Sequence, residues 1–396
     1  MLRFLTAGES HGPSLSVIVE GLPAGLAIDI DAIADELARR RLGYGRGPRM
    51  RFERDELRLI GGVRHGRTLG SPVAVEILNS EWPKWEEEMS AAPGAPTQKQ
   101  TKPRPGHADL AGMLKYGFDD ARDVLERASA RETAARVVAG ALAKALLSTI
   151  GIAIVSHVIR IGEATTPNDL RPLPGDLEAI DDNEVRCFDP ASAAAMILEI
   201  KAAAKVGDSL GGVVEVIAYG VPVGLGSHVH WDRKLDGLLA GALMSIQAVK
   251  AVEIGDGFIQ ASQRGSVAHD AIAYDETFTL GGGFIRRTDH AGGTEGGISS
   301  GAPIIAKAAM KPLSTLNRPV LETVDVVTHE TAVSFKERTD VTAVPALGVV
   351  TEAMMALVLA NESLRKFGGD SVDEFTRNFS SYVANLGTTP SAARPT

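Results

Sequence analysis

The sequence is poor in cysteine and in uninterrupted apolar runs, and each shortage excludes a class of protein. Cys187 is the single cysteine in 396 residues, which excludes an internal disulfide and a thiolate metal cluster. The most apolar window, residues 137–159, contains Lys144 and His157 and is therefore a poor membrane span. The first residues lack the apolar core of a signal peptide, so we expect a cytoplasmic protein without a membrane partner.

Positive charge is also in short supply. Acidic residues outnumber basic ones by 50 to 41, which gives a net charge of −9. General nucleic-acid binding draws its affinity from basic surface, so this balance argues against a nucleic-acid partner. It still allows a local basic pocket inside an acidic shell, where small anions would collect. The histidines show no spacing typical of a zinc site, and we expect no metal.

Helix and strand patterns alternate along the chain without a linker that divides it. They predict an α+β fold in one large domain, residues 1–387, followed by a disordered tail at 388–396. A segment rich in alanine, proline, threonine and glutamine predicts a mobile loop at 88–105. A polar, proline-rich segment at 167–190 predicts a surface excursion, and a glycine-rich segment at 281–301 predicts a loop.

Hydrophobic periodicity predicts the individual elements. Strands are expected near the N-terminus and at 15–20, 51–58, 73–78, 153–159, 212–219 and 304–310. A helix capped by Asp29 or Asp31 should run to about Arg41. Further helices are expected at 108–116, 119–147 with a break near Ser129, 191–206, 235–253 and 343–367.

The basic residues are concentrated near the N-terminus. Seven arginines lie among the glycines at 43, 45 and 47: Arg39, Arg40, Arg41, Arg46, Arg49, Arg51 and Arg54. Arginine presents a rigid fork that matches carboxylate and phosphate oxygens, and glycine lets backbone and ligand approach closely. The cluster is therefore either an anion site or a solvated helix end with a basic strand face.

Two histidines lie beside glycine in predicted loops, His11 in Gly-Glu-Ser-His-Gly and His107 in Arg-Pro-Gly-His-Ala-Asp. Histidine is well suited to exchange a proton near neutral pH, although a loop histidine is more often a surface residue. Further along, Ser129 and Glu132 have the spacing of a capping box. The same helix start would bind an anion with the help of the neighbouring Arg127 and Arg131.

The C-terminal half adds two polar segments. Lys311, Ser314 and Thr315 follow a predicted strand and could grip a phosphate in a turn. The segment fits neither a Walker loop nor a dinucleotide fingerprint. Asp340 precedes the helix predicted from residue 343, where it is either a helix cap or a catalytic carboxylate.

Taken in order, these segments resemble the bacterial, monofunctional members of the chorismate synthase family over about residues 1–370. The matching segments are 8–12, 39–47, 104–109, 116–117, 127–133, 253–258, 292–297, 310–315 and 338–341. The ordered set is far more specific than any one of its members. Two places depart from the pattern of many members: Asp289-His290 stands before Ala-Gly-Gly, and Ser300 stands before Gly301.

The resemblance implies a carbon–oxygen lyase of the shikimate pathway. Its reaction is the anti-1,4-elimination of phosphate from 5-enolpyruvylshikimate 3-phosphate (EPSP) to give chorismate, with reduced FMN required but not consumed. The implied fold is a β-α-β sandwich of two antiparallel sheets around a helical centre, assembled as a homotetramer. Nothing in the sequence indicates an attached flavin reductase domain, so we expect a separate source of reduced flavin.

The resemblance also assigns roles to residues. His11 would protonate the departing phosphate, His107 would protonate or hydrogen-bond the reduced flavin, and Asp340 would help flavin N5 act as the base. The residues implied to hold the substrate are Ser10, Arg40, Arg46, Arg49, Ser129, Arg131 and Arg338. Those implied to hold the cofactor are Arg40, Arg46, Arg127, Ala128, Ser129, Gln247, Ala248, Gly301, Lys311, Pro312, Leu313, Ser314, Thr315 and Arg338. Arg40 and Arg46 are also associated with NADPH in some members.

Two other classes of protein would use some of the same residues. A flavin- or NADPH-dependent oxidoreductase would show net oxidation of pyridine nucleotide, whereas a chorismate synthase shows no net flavin turnover. A non-catalytic anion- or RNA-binding protein would not need His11, His107 or Asp340.

Overall fold

A computed structural model describes residues 1–46, 55–167, 170–318, 320–334 and 339–387. Its helices are α1 (Ile30–Arg41), α2 (Asp109–Tyr116), α3 (Arg122–Ala128), α4 (Thr133–Ser148), α5 (Leu177–Asp182), α6 (Pro190–Val206), α7 (Leu235–Met244), α8 (Gly257–Ser262), α9 (Gly265–Ala268), α10 (Val344–Phe367) and α11 (Val372–Ala384). The longer strands are β1 (Arg3–Ala7), β2 (Ser14–Glu20), β3 (Glu56–Gly61), β6 (Val73–Leu78), β7 (Ala153–Ile161), β9 (Gly212–Tyr219), β10 (Val249–Ile254) and β15 (Ile304–Met310). The shorter ones are β4 (Val63–Arg64), β5 (Arg67–Thr68), β8 (Ala164–Thr165), β11 (Ile272–Tyr274), β12 (Phe284–Arg286), β13 (Thr294–Glu295), β14 (Ile298–Ser299), β16 (Glu322–Val324) and β17 (Thr331–Val333).

Two antiparallel sheets form the outer layers. The first has the strand order β1-β2-β6-β3, and the second has the order β10-β15-β9-β7-β8. In the first sheet, alternate residues point to one face, as the period of two in a strand requires. The residues on that face of β2 and β6 are buried and apolar: Leu15, Val17, Val19, Val73, Val75 and Ile77.

Helices α4 and α10 fill the space between the sheets. Helix α4 packs beneath β2, and α10 packs on α4 and on β7 and β9 of the second sheet. The two helices approach closely at Gly140, where a Cβ atom would lie 2.3 Å from the Cβ of Ala353. The predicted α+β sandwich with a helical centre is therefore confirmed.

Helix α10 is the one helix among the described residues whose length and apolarity would allow it to span a membrane. Within the fold, 89% of its most apolar window is buried. The length and apolarity of α10 therefore match its position at the centre of the sandwich, where side chains on all sides of a helix are enclosed.

A buried ion network fixes this helical centre. Glu352 of α10 is fully buried and accepts hydrogen bonds from Arg39 of α1, from Lys144 of α4, and from Arg186 and Ser156 of the second sheet layer. An isolated charge in this position would cost several kcal/mol, so each partner depends on the others. Arg39, the first member of the predicted arginine cluster, is thus a structural residue.

Most predicted elements are confirmed within a few residues, and Asp29 caps α1 through a bond from the Asp31 N–H of 2.9 Å. The helix predicted at 235–253 is wrong beyond Met244, because a turn separates α7 from β10 inside one apolar run. Periodicity cannot separate a buried strand from a buried helix in such a run. Residues 51–54 of the third predicted strand lie outside the described residues.

The segments predicted as irregular need two corrections. The stretch 167–190 is not a mere surface excursion, because it contains α5 and buries Ile180, Val185 and Cys187 against the second sheet. The stretch 281–301 is interrupted by β12, β13 and β14. Residues 88–105 contain no helix or strand, and their mobility stays a prediction. The predicted tail at 388–396 lies outside the described residues.

Replacement of Glu352 tests the ion network. We expect Glu352→Gln to lower the free energy of unfolding by about 3–5 kcal/mol, because three buried cations lose their shared anion. The matched control is Glu20→Gln on the surface, where the pair with Arg3 is exposed and contributes about 0–1 kcal/mol. Urea titrations followed by circular dichroism measure both. Equal losses in the two variants would contradict the role given to Glu352.

The same carboxylate should make stability depend on pH. Burial alone would raise the pKa of Glu352, but Arg39, Lys144 and Arg186 hold that pKa well below 4.5. Because the folded pKa lies below the unfolded one, the stabilisation is complete above about pH 4.5 and is lost as the pH falls towards the folded pKa. Over that acidic range, the unfolding free energy of the wild type should fall more steeply than that of Glu352→Gln.

Candidate functional site

The loop that carries His11 is held rigidly at the end of β1. Gly8 has a φ of +101°, and a Cβ atom there would lie 2.4 Å from the carbonyl oxygen of Ser14. The Asn79 side-chain amide donates to the carbonyl of Gly12 at 2.9 Å, and the N–H of Ser10 donates to the carbonyl of Glu126 at 3.0 Å. The loop is therefore anchored to both β6 and α3.

The His11 side chain lies against α3. Its Nδ1 is 2.9 Å from Oε1 and 3.0 Å from Oε2 of Glu126, and its backbone N–H donates to Oε2 at 2.8 Å. Arg122 donates to the same carboxylate at 2.9 Å. The ring of Trp85 packs on the imidazole with 4.0 Å between centroids, and the Arg122 guanidinium lies 5.0 Å from the centroid of that indole. These contacts fix the ring plane of His11.

His107 lies in a second turn, just before α2. Its Nδ1 is hydrogen-bonded to Oδ1 of Asp109, the first residue of α2, which is fully buried. Arg104 binds the same carboxylate through Nε at 2.9 Å and through its backbone N–H at 3.1 Å. Burial alone would raise the pKa of Asp109, but the hydrogen bonds from His107 and Arg104 hold it far below its usual range.

The Lys311–Thr315 turn meets the His107 loop. Lys311 Nζ donates to the carbonyl of Gly106, and Arg104 donates to Thr315 Oγ1 at 3.0 Å. The carbonyl of Leu313 accepts a hydrogen bond of 2.8 Å from Ser209, and Pro312 and Ser314 complete the turn. The fold thus joins two segments that are about 200 residues apart in the chain.

Ser129 and Glu132 only partly fulfil the capping-box prediction. Ser129 caps the single 3₁₀ turn at 130–132 by accepting from the N–H of Arg131, and its Oγ lies 3.2 Å from that of Ser10. Glu132 does not reach back to Ser129, because its carboxylate accepts from Thr6 at 2.8 Å and from Gln247 at 2.9 Å. The capping-box prediction is therefore confirmed for Ser129 and wrong for Glu132.

Arg127 and Gln247 line one shallow pocket of about 410 Å³. Arg127 donates to the carbonyls of Gly8 and Thr6 at 3.1 and 2.9 Å, with Ala128 ending α3 beside it. Gln247 is followed by Ala248, which has a φ of +66° and whose carbonyl accepts from the N–H of Lys311 at 3.0 Å. The predicted cofactor residues from three parts of the chain are therefore neighbours.

The predicted anion-binding arginines are already engaged with protein groups. Arg40 is buried and donates to Thr133 Oγ1 at 2.9 Å and to the carbonyl of Ala130 at 3.1 Å, so it supports the Ser129 turn. Arg131 pairs with Asp55 at 2.5 Å. Arg49, Arg51, Arg54 and Arg338 lie outside the described residues. The interpretation as a solvated helix end is wrong, because the last turn of α1 is largely enclosed.

Asp340 is not a helix cap. Its Oδ2 lies 3.0 Å from Nε of Arg46, while α10 starts from Ala343 without a side-chain cap from that residue. The N–H of Val344 is instead 3.3 Å from Thr342 Oγ1. Asp340 therefore forms an ion pair with Arg46 instead of capping α10, and its catalytic role stays a prediction.

Gly301 lies apart from the other predicted cofactor residues. It precedes β15, whereas Lys311 follows it, so the seven extended residues of β15 separate the two by roughly 20 Å. Asp289 and His290 also lie on that side, where His290 binds Asp256 at 2.8 Å. Within one chain, the two departures from the family pattern are therefore remote from His11 and His107.

No role was predicted from the sequence for four residues around the histidines: Asp109, Glu126, Arg122 and Trp85. Asp109 was visible as part of the Arg-Pro-Gly-His-Ala-Asp segment, two residues after His107. No local signal could have linked Glu126 to His11, since 115 positions separate them. Their contact is a product of the tertiary fold.

The arrangement defines a class of protein. Two buried carboxylates orient two histidines, and hydroxyls, a lysine turn and arginines surround them, which is the composition of an enzyme site for small anionic molecules.

Comparison with known proteins is more specific. The sequence profile of the family described as chorismate synthase matches residues 2–364. The chorismate synthase of Salinispora tropica is 59% identical over 395 residues, which covers 98% of this chain and 99% of that protein. That of Streptomyces coelicolor is 58% identical over 394 residues, with 97% and 98% covered. A crystal structure of chorismate synthase aligns with a TM-score of 0.79 at 41% identity, over 98% of this chain and 99% of that one.

The chain belongs to the chorismate synthase family. It is therefore an enzyme, a lyase (EC 4.2.3.5) of the shikimate pathway, as the resemblance of its motifs implied.

Ala248 offers a test of the local backbone. A non-glycine residue in the left-handed region is strained by about 1 kcal/mol or more, so Ala248→Gly should leave the melting temperature unchanged or raise it. The matched control is Ala242→Gly inside α7, which should lose about 1 kcal/mol. Thermal unfolding of the two variants measures both melting temperatures. A clear loss for Ala248→Gly would contradict the strained conformation.

Proposed function

We propose that this site removes phosphate from EPSP to give chorismate while reduced FMN is bound beside the substrate. The observation that carries the proposal is that the Ser129 turn meets the His11 loop while the Lys311–Thr315 turn meets the His107 loop. Gln247 and Ala248 link the two groups, because Gln247 donates to Glu132 and Ala248 accepts from the N–H of Lys311. EPSP has two carboxylates and a phosphate, so an acidic protein needs a local group of cations and hydroxyls to bind it.

The substrate would lie between the N-terminal loop and the Ser129 turn. Ser10 and Ser129 offer hydroxyls 3.2 Å apart, and Arg46 and Arg131 would add positive charge for the substrate anions. The guanidiniums are held by Asp340 and Asp55, so a substrate carboxylate would share or replace these partners. Arg40 would support the Ser129 turn. From the family resemblance, we include Arg49 and Arg338 among the proposed substrate contacts.

The residues around Gln247 fit a flavin. Gln247 Oε1 is buried without a hydrogen-bond partner among the described residues, and thus offers an acceptor to an N–H of the cofactor. Lys311 with the hydroxyls of Ser314 and Thr315 suits the FMN phosphate, and Arg127 adds a charge. The chemistry that bound reduced FMN supplies is transient donation of electron density as the allylic C–O bond breaks.

Side chains of the protein would then transfer the protons of the reaction. His11 would give a proton to the oxygen of the leaving phosphate, and His107 would hold a proton at the flavin site. Asp340 would act near the hydrogen lost from C6, with its orientation set by Arg46. NADPH, which the family resemblance associates with Arg40 and Arg46, would contact these two arginines.

The assembly would be a homotetramer in the cytoplasm, supplied with reduced flavin by a separate protein. Support for association comes from the outer face of the first sheet, where Leu5 and Ile18 are cross-strand neighbours with exposures of 69% and 44%. Ile60 on β3 extends this apolar face. In such an assembly, the Gly301 loop of a second copy would contact a flavin bound at Lys311 of the first.

Replacement of either histidine tests the proposed chemistry. We expect His11→Ala and His107→Ala to lower the rate of chorismate formation by roughly two to four orders of magnitude, the usual contribution of a general acid or base. Purified protein is assayed anaerobically with EPSP and chemically reduced FMN. The control is His230→Ala, an exposed histidine paired with Asp232, which should keep the full rate. Near-normal rates for both site variants would remove them from the mechanism.

The flavin site has its own test. Lys311→Gln should raise the Kd for reduced FMN about tenfold or more, because a charge-assisted hydrogen bond contributes about 1.5–3 kcal/mol. Anaerobic fluorescence titration measures this without turnover. The control Lys84→Gln changes an exposed lysine that pairs with Glu81 and should leave the Kd unaltered. Equal Kd values for Lys311→Gln and the wild type would exclude Lys311 as a cofactor contact.

A further inference from the structure

The two histidines share one construction, although they lie in unrelated segments of the chain. Each binds a carboxylate through Nδ1, and each carboxylate is held in turn by an arginine: Arg122 for Glu126 and Arg104 for Asp109. Both carboxylates are almost completely removed from water, with side-chain exposures of 3% and 0%. The histidines are themselves only slightly exposed.

Such a carboxylate decides which nitrogen of the imidazole carries the proton. An ionised carboxylate can only accept hydrogen bonds, so Nδ1 must be the donor and Nε2 becomes the nitrogen that exchanges a proton. A carboxylate at Nδ1 also stabilises the imidazolium form that a proton donor needs.

Both carboxylates are ionised at neutral pH. Burial alone would raise the pKa of Glu126, but the hydrogen bonds from His11 and the charge of Arg122 lower it below its ordinary value. The pKa of Asp109 is lowered in the same manner. Arg104 Nη2 lies 3.2 Å from both His107 Nδ1 and Asp109 Oδ1. Because the carboxylate oxygen carries the negative charge, Nη2 donates its hydrogen bond to Asp109 Oδ1.

We propose that Glu126 and Asp109 are positioning residues that present His11 and His107 to their ligands through Nε2. This inference rests on the proposed function of the two histidines. Glu126 also binds the backbone of His11, and Trp85 covers one face of its ring, so the imidazole has one orientation as well as one tautomer. His107 obtains the same two constraints from Asp109 and from the Gly106–Lys311 contact.

The sharpest variant is Asp109→Asn. The side-chain oxygen would stay with the two donors of Arg104 at Oδ2, which leaves the amide NH₂ facing His107 Nδ1. An N–H donor in that place forces the proton onto Nε2, so the ring keeps its position but takes the wrong tautomer. Glu126→Gln removes the charge beside His11 without a change of volume. The matched control is Asp232→Asn, since Asp232 binds the exposed His230 at the same spacing of two residues, 2.7 Å from its Nδ1.

The tautomers are read from ¹⁵N magic-angle-spinning spectra of ligand-free protein labelled in histidine, with His11 and His107 assigned by single substitutions. We expect both to be protonated at Nδ1 in the wild type, and His107 to move its proton to Nε2 in Asp109→Asn. In the anaerobic EPSP assay, Asp109→Asn and Glu126→Gln should lower kcat about a hundredfold or more with little change in KM, while Asp232→Asn keeps its rate.

Two results would overturn the inference. One is a His11 or His107 of the wild type whose Nε2 is protonated while its Nδ1 is not, which is decisive even if a variant fails to fold. The other is a kcat within about twofold of the wild type for folded Asp109→Asn with its tautomer reversed. Because the spectra need no substrate, they test the positioning role separately from the proposed function, which fails only if the wild type forms no chorismate.

Discussion

Arginine side chains enclosed by the fold need carboxylate partners, since an unpaired charge out of water costs several kcal/mol. This constraint recurs through the protein. Arg39 and Arg186 share Glu352 at the centre, Arg104 binds Asp109, and Arg122 binds Glu126. A chain with a net charge of −9 has the acidic residues to satisfy them. The ion pairs hold the helices together and, at the site, fix the side chains of His11 and His107.

At the site, the same pairing has a chemical consequence. Carboxylates that neutralise Arg104 and Arg122 also bind His107 and His11, so one contact satisfies a buried charge and orients an imidazole. The pair of Arg46 with Asp340 has the same form, with the carboxylate 21% exposed and therefore accessible to a ligand. Glu126 and Asp109 thus combine charge compensation with the orientation of a histidine.

Local patterns in the sequence predicted most of the helices and strands, and the ordered motifs predicted the family. Strands such as β9 and β15 were predicted at their observed bounds, because their apolar residues form short runs between glycine and proline. The bend after Met244 was missed, since apolar residues continue on both sides of it and their spacing does not separate a buried helix from a buried strand. The partner of His11 could not be predicted, because Glu126 meets it only after β1, β6 and α3 have packed. The remoteness of Gly301 from Lys311 likewise depends on the direction of β15.

The proposed reaction is an elimination that leaves the oxidation state of the bound flavin unchanged. The most direct measurement is the end point of an anaerobic reaction with excess EPSP over reduced FMN, in which chorismate, phosphate and the flavin spectrum are followed together. We expect one chorismate and one phosphate for each EPSP, with the flavin still reduced after many turnovers. Oxidation of flavin in step with product, or phosphate release without chorismate, would contradict it.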